Sequence, residues 1–119
     1  MLTIKSSSKE LSKVERYLMT QGQGMEMLQN VEDGSKIPVS AFCIYEDYKE
    51  TDETTVTLLS ILTPDNKVFV TQSATFIRSF GDIADVFANE DGTYDAFTVV
   101  KISGKTKAGR PFVNCVLDI

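Results

Sequence analysis

The spacing of apolar residues changes period along this chain, and the changes mark its elements. Leu11, Val14 and Leu18 recur at helical spacing, Tyr17 widens their stripe, and Ser7 and Glu10 stand at capping-box distance. Residues 7–20 are therefore expected to form a helix, stopped by Gly22 and Gly24. Residues 25–34 read as a loop that ends in an Asp33-Gly34 turn. From Ile37 to Tyr48 the period falls to two. Val39, Ala41, Cys43 and Tyr45 share one face, and Phe42 and Ile44 share the other. Both faces are partly apolar, which predicts a long, curved strand with a stretch buried on each side. Residues 54–63 form a second strand, Pro64-Asp65-Asn66 a tight turn, and residues 67–71 a short third strand. Phe76, Phe80, Ile83 and Phe87 return to helical spacing, joined by Val86, and predict a helix over 74–88 capped by Ser73. A fourth strand over 97–103 sets Phe97, Val99 and Lys101 on one side and Thr98, Val100 and Ile102 on the other. The GKTKAG turn then leads into a fifth strand, residues 110–117.

The order is a helix followed by β-β-β-α-β-β. Three meandering strands, a helix and a closing hairpin are the element order of a five-stranded OB-fold barrel. The expected architecture is mainly β: one domain over residues 1–119, with an extra N-terminal helix at 7–20 and the barrel at 37–118. A length of 119 residues suits one domain with its own core.

Charge adds a second layer. The net charge of −5 argues against a phosphate-rich partner if it is spread evenly, but it is not. Glu46, Asp47, Glu50, Asp52 and Glu53 face one Lys49. Asp82, Asp85, Glu90, Asp91 and Asp95 occur without a base. Lys101, Lys105, Lys107 and Arg110 occur without an acid. One basic edge among acidic faces is the expected surface, with ordinary solvated charge as the alternative. No apolar run is long enough to cross a bilayer, and residues 1–11 lack the apolar stretch of a secretory signal, so the expected location is cytoplasmic, with no membrane partner. Cys43 and Cys115 lie in apolar segments, without close pairing and in a chain that has no histidine. They read as buried core thiols, with no role beyond packing assigned.

The chemistry-bearing motifs mostly dissolve under inspection. Ser103-Gly104-Lys105-Thr106 resembles the end of a phosphate-binding loop, but Val99 stands where that motif needs glycine, and Ala108-Gly109-Arg110-Pro111 blocks the helix that should follow. Asn89, Asp91, Gly92 and Asp95 partly match a calcium loop, but no glutamate closes it. No metal site, cofactor or catalytic constellation emerges, and the chain does not read as an enzyme.

What remains is aromatic plus basic. Single-strand binding uses cations along the phosphates and flat rings for stacked bases. Tyr45, Phe69 and Phe112 supply the rings, and Lys67, Lys101, Lys105, Lys107 and Arg110 would flank them. The competing reading makes the rings core residues and the lysines guards of an edge strand. A different class, an accessory protein–protein interaction module, would use the acidic stretches 46–53 and 82–95 as its contact surface.

The chain resembles the single-stranded-DNA-binding proteins of the phi29-type phages, which prime replication with a protein. The resemblance runs from Leu28 to the C-terminus. It includes Asn30-Val31-Glu32-Asp33-Gly34, Ala41 and Tyr45, Glu53 to Thr57, Asp65 to Phe69, Ser73, Thr75, Asp82-Ile83 and Asp85, Phe97-Thr98-Val99, Thr106 to Gly109, Phe112 and Leu117. It implies an OB-fold protein, working in the host cytoplasm, that coats displaced single strands without sequence preference and often cooperatively. It implies base stacking at Tyr45 and at Phe69, where a ring stands without the family's hydroxyl. A third aromatic falls near Tyr48, where the loop lengths differ. The segment 7–20 departs from the family pattern. Self-association and contacts with other phage replication proteins stay open as further partners.

Overall fold

In the computed structural model of the protein, residues 2–119 are described. In chain order they form β1 (Leu2–Ser7), α1 (Lys13–Thr20), β2 (Glu26–Met27), a 3-10 turn (Leu28–Asn30), β3 (Lys36–Val39), β4 (Ala41–Lys49), β5 (Thr54–Leu62), β6 (Val68–Thr71), α2 (Ala74–Phe87), β7 (Phe97–Lys105) and β8 (Pro111–Leu117). The protein is mainly β, in two sheets.

The expected long strand breaks at Ser40, and there the chain passes directly from one sheet to the other. β3 pairs with β7, and β7 with β8, in a three-stranded sheet ordered β3-β7-β8. β4 pairs with β5 and lies in a five-stranded sheet ordered β1-β4-β5-β6-β2. One run of chain thus carries the fold from one sheet to the other.

Two expectations fail here. The expected closed barrel is not formed, because β6 and β8 do not pair. Instead β2 occupies the free edge of β6, in parallel register, with Met27 opposite Val70. The helix expected over 7–20 begins only at Lys13. The S-x-x-E capping pattern occurs twice, at Ser7 and at Ser12, and the second is used. The Ser12 amide donates to Glu15 Oε1 at 2.9 Å, and the Glu15 amide donates to Ser12 Oγ at 3.1 Å. Residues 2–7 are drawn into β1 against β4 because Leu2 and Ile4 alternate with polar residues and pack on that sheet. Nor is the helix an appendage outside the β fold, since strands precede and follow it. Its buried residue is Met19, while Val14 and Tyr17, expected on the inner face, are 68% and 52% exposed.

The larger sheet is buried on both faces. Phe42, Leu59 and Ile61 point toward α2 and the smaller sheet, where Phe76, Phe80, Phe97, Val99 and Cys115 complete the main core. Ring pairs lock it, Phe42 edge-on to Phe80 at 5.0 Å and Phe87 stacked on Phe97 at 5.0 Å. Ala41, Cys43, Tyr45, Leu62 and Val68 point the other way, into a second core closed by Met19, Leu18, Leu11 and Ile4. α2 ends one residue short of the predicted 74–88, and the Ser73 hydroxyl accepts from the Phe76 amide at 3.2 Å, but Val86 lies outside the stripe, 76% exposed. Cys43 and Cys115 are both buried and free, in different cores, and burial pushes their thiols up to about 11 and about 12.

The two faces of α1 give a direct check. Met19→Ala should destabilise the fold by about 2–4 kcal/mol through the cavity it leaves. Val14→Ala should stay within about 0.5 kcal/mol. Urea unfolding of the two variants beside the parent reads both, and equal losses would mean that α1 packs by another face.

Candidate nucleic-acid interface

The β7–β8 hairpin rises from a clasp at its base. Lys101 is in phase with Phe97 and Val99, so it faces inward and is only 3% exposed. A buried ammonium needs three acceptors. It finds Val31 O at 2.7 Å, Asp33 Oδ1 at 2.7 Å and Ser103 Oγ at 3.0 Å. Ser103 in turn donates to Asp33 Oδ1 at 2.6 Å. The Gly34 amide donates to the Lys101 carbonyl at 2.8 Å, and Gly34 has φ +88°, a conformation that favours glycine. The Asp33-Gly34 turn thereby pins the middle of β7.

Beyond the clasp, Gly104 pairs with Phe112. The phenyl ring comes within 2.7 Å of where a Cβ on Gly104 would sit, so any side chain there would strike it. Alternation along the strands sets this ring on the face opposite Ser103 and Val113. The tip is a closed turn. Thr106 N donates to Arg110 O at 2.9 Å, Gly109 N to Thr106 O at 2.8 Å and Arg110 N to Thr106 Oγ1 at 3.1 Å. No phosphate-binding helix follows Lys105-Thr106. Lys105, Lys107 and Arg110 are exposed, and among the described residues none of them forms an ion pair.

This finger borders a cleft of about 840 Å³ at the gap between β6 and β8. Met27, Gln29 and Asn30 line one side, Thr71, Gln72 and Ser73 the floor, and Ser103, Pro111, Phe112 and Val113 the finger's side. The Ser73 hydroxyl spans the gap to Val113 O at 3.1 Å. A second, shallower groove shares Gln72 and runs on past Thr55, Thr57 and Arg78. Its far wall is the turn end of β5, Thr55 to Thr57, next to the turn that carries Glu50, Asp52 and Glu53. Basic and acidic fingers therefore stand at the same end of the molecule.

The other expected site residues scatter. Tyr45 is 3% exposed in the second core, and burial above all, then Cys43 and Asp47, pushes its phenol up to about 12. Phe69 points into the main core instead, so the two rings lie on opposite faces of one sheet and form no shared platform. Tyr48 is exposed, near the tip of the acidic hairpin. Lys67 is exposed at the β5–β6 turn, at the opposite end of β6 from the cleft. The Asn89–Asp95 loop is held by its own bonds, Asn89 Nδ2 to Thr93 Oγ1 at 3.1 Å and Thr93 N to Asp91 Oδ1 at 3.0 Å, and no metal-holding group of side chains occurs among the described residues. Among those residues, no helix is long and apolar enough to cross a membrane. Gln29, Asn30, Gln72 and Arg78 line these grooves without having been singled out as site residues from sequence, since single polar residues in turns and on helix surfaces carry no periodic signal.

A family described as phage single-stranded DNA-binding protein, of the phi29 type, matches residues 3–118. The match takes in the N-terminal segment that the resemblance had left out. No curated protein and no solved structure matches the chain.

The clasp predicts a pH dependence. Hydrogen bonds from Lys101, then Ser103, hold the Asp33 carboxyl below its usual value of 3.8. A depressed folded value stabilises the fold above the unfolded value, and that contribution is lost as pH falls through the folded one. Urea midpoints from pH 7 downward should fall below about pH 4, and Asp33→Asn should flatten that fall. An unchanged acid limb in the variant would show that the clasp carries no such linkage.

Proposed function

We propose that this chain, which belongs to the phi29-type phage single-stranded DNA-binding proteins, holds single strands along the basic β7–β8 finger and the cleft beneath it, during phage DNA replication. The observation that carries the reading is the finger itself: three cations, free of carboxylate partners, on a hydrogen-bonded turn. Cations without a carboxylate partner break no ion pair on meeting phosphate, and the counterions released from the strand drive the association. The acidic β4–β5 finger across the groove repels phosphate and keeps the backbone on the basic side. Phe112, braced on Gly104 on the finger face opposite Lys105, is the ring placed to take a stacked base. The element order supports an OB fold opened between β6 and β8, with β3 and β4 together as its first strand and the two fingers as the loops that flank an OB cleft.

In this reading Lys101 anchors the finger and does not touch DNA, and Tyr45 and Phe69 hold the two cores.

Titration with oligo-dT across a salt series tests it. Binding should weaken as salt rises, and Lys105→Gln with Lys107→Gln should reduce the log–log salt slope by about 1.4. Phe112→Ala should weaken binding by about 1–3 kcal/mol. No binding at low salt would overturn the reading, and a slope untouched in the double variant would move the phosphates elsewhere.

Tyr45 separates packing from stacking. Tyr45→Ala should lower unfolding stability by about 3–4 kcal/mol, as loss of a buried ring does. At a temperature where the variant stays folded, its affinity for oligo-dT should match the parent's. A folded variant with weakened binding would return Tyr45 to the DNA surface.

A further inference from the structure

Resting on the single-strand reading above, we infer that the cleft between β6 and β8 takes a nucleobase, turned in from the strand and held at its hydrogen-bonding edge by Gln29, Asn30 and Gln72. The lining divides cleanly by chemistry. None of the ten lining residues is ionisable, which suits a neutral ring and gives phosphate nothing to pair with. Met27, Pro111 and Val113 supply apolar wall.

The polar groups divide again. Thr71 Oγ1 accepts from the Ser73 amide at 3.0 Å, Ser73 donates to Val113 O, and Ser103 donates to Asp33. Those hydroxyls are committed to the fold. The side-chain amides of Gln29, Asn30 and Gln72 make no hydrogen bond within the described residues. Each offers a donor and an acceptor, the complement of a base edge. A primary amide can turn either way to meet any of the bases, so three of them bind without fixing sequence.

Position supports the same ligand. At about 840 Å³ the cleft falls in the range of small-molecule sites and exceeds a single base. Lys105 shares its strand face with Ser103, placing a cation at the mouth, where the phosphate of a turned-in nucleotide would lie. Cation at the rim and amides within is the order of a nucleotide: charged backbone outside, neutral ring inside.

The test compares oligo-dT, oligo-dA and an abasic oligomer of equal length, at fixed salt, with the parent and with Asn30→Ala, Gln72→Ala. The parent should bind both base-bearing strands more tightly than the abasic one. The double variant should lose about five- to tenfold on base-bearing strands and nothing on the abasic strand, with the salt slope unchanged. Equal losses on all three strands, or none, overturn the subsite and leave the single-strand reading standing. If the parent binds no strand at all, the single-strand reading fails first and this one with it. As a second readout, one 2-aminopurine in an oligo-dT should change fluorescence on binding the parent, and that change should shrink in the double variant; equal changes in the two proteins count against the subsite.

Discussion

Burial of the β4–β5 pair on both faces decides where the rings of β4 and β6, Phe42, Tyr45 and Phe69, can go. A sheet covered on one side offers its other side to a ligand. Here α1 and the segment leading into it cover the side that α2 and the smaller sheet leave free, so alternate residues of β4 enter alternate cores. Tyr45 and Phe42 are both lost to solvent, for opposite reasons. The gain is apolar area removed from water on two faces, at roughly 25 cal/mol per Å². The consequence is that both faces of this pair are taken up by core, and the hairpin turns are what it leaves to solvent.

The same covering segment explains why the barrel stays open. After α1 the chain must return to the far side of the larger sheet, and it does so as β2, which takes the edge of β6. With that edge occupied, β8 is tied across the gap by the Ser73 hydroxyl. A cleft forms where a closed barrel would have a seam. The clasp of Lys101, Asp33 and Ser103 then matters because β7 must stand firm beside a gap that lacks backbone pairing.

Much of this was legible in the sequence where periodicity is strong. The strand order from 37 onward, α2 with its Ser73 cap, and the Pro64-Asp65-Asn66 turn all stand close to their expected places. Lys101 could have been placed as well: its phase with Phe97 and Val99 marks it as inward, although its charge drew it to the surface. Tyr45 shared a phase with Ala41 and Cys43, but what covered that face was hidden: of the stripe expected on the first helix, Leu11 and Leu18 pack there, whereas Val14 and Tyr17 face solvent and Met19, outside the stripe, is buried. The first error there was local. Two S-x-x-E patterns lie five residues apart, and only the pairing of residues 2–7 with β4 decides between them. The cleft was illegible for a different reason, since it is bounded by segments far apart in sequence, residues 27–30, 71–73 and 111–113.

Ser40 is the point at which one strand leaves the smaller sheet for the larger. The sheets are joined there through the backbone, while at the cleft a side-chain hydrogen bond, Ser73 to Val113 O, ties β8 to the start of α2. The seam of this fold is thus closed at one place by the peptide chain itself and at another by what a single serine hydroxyl supplies.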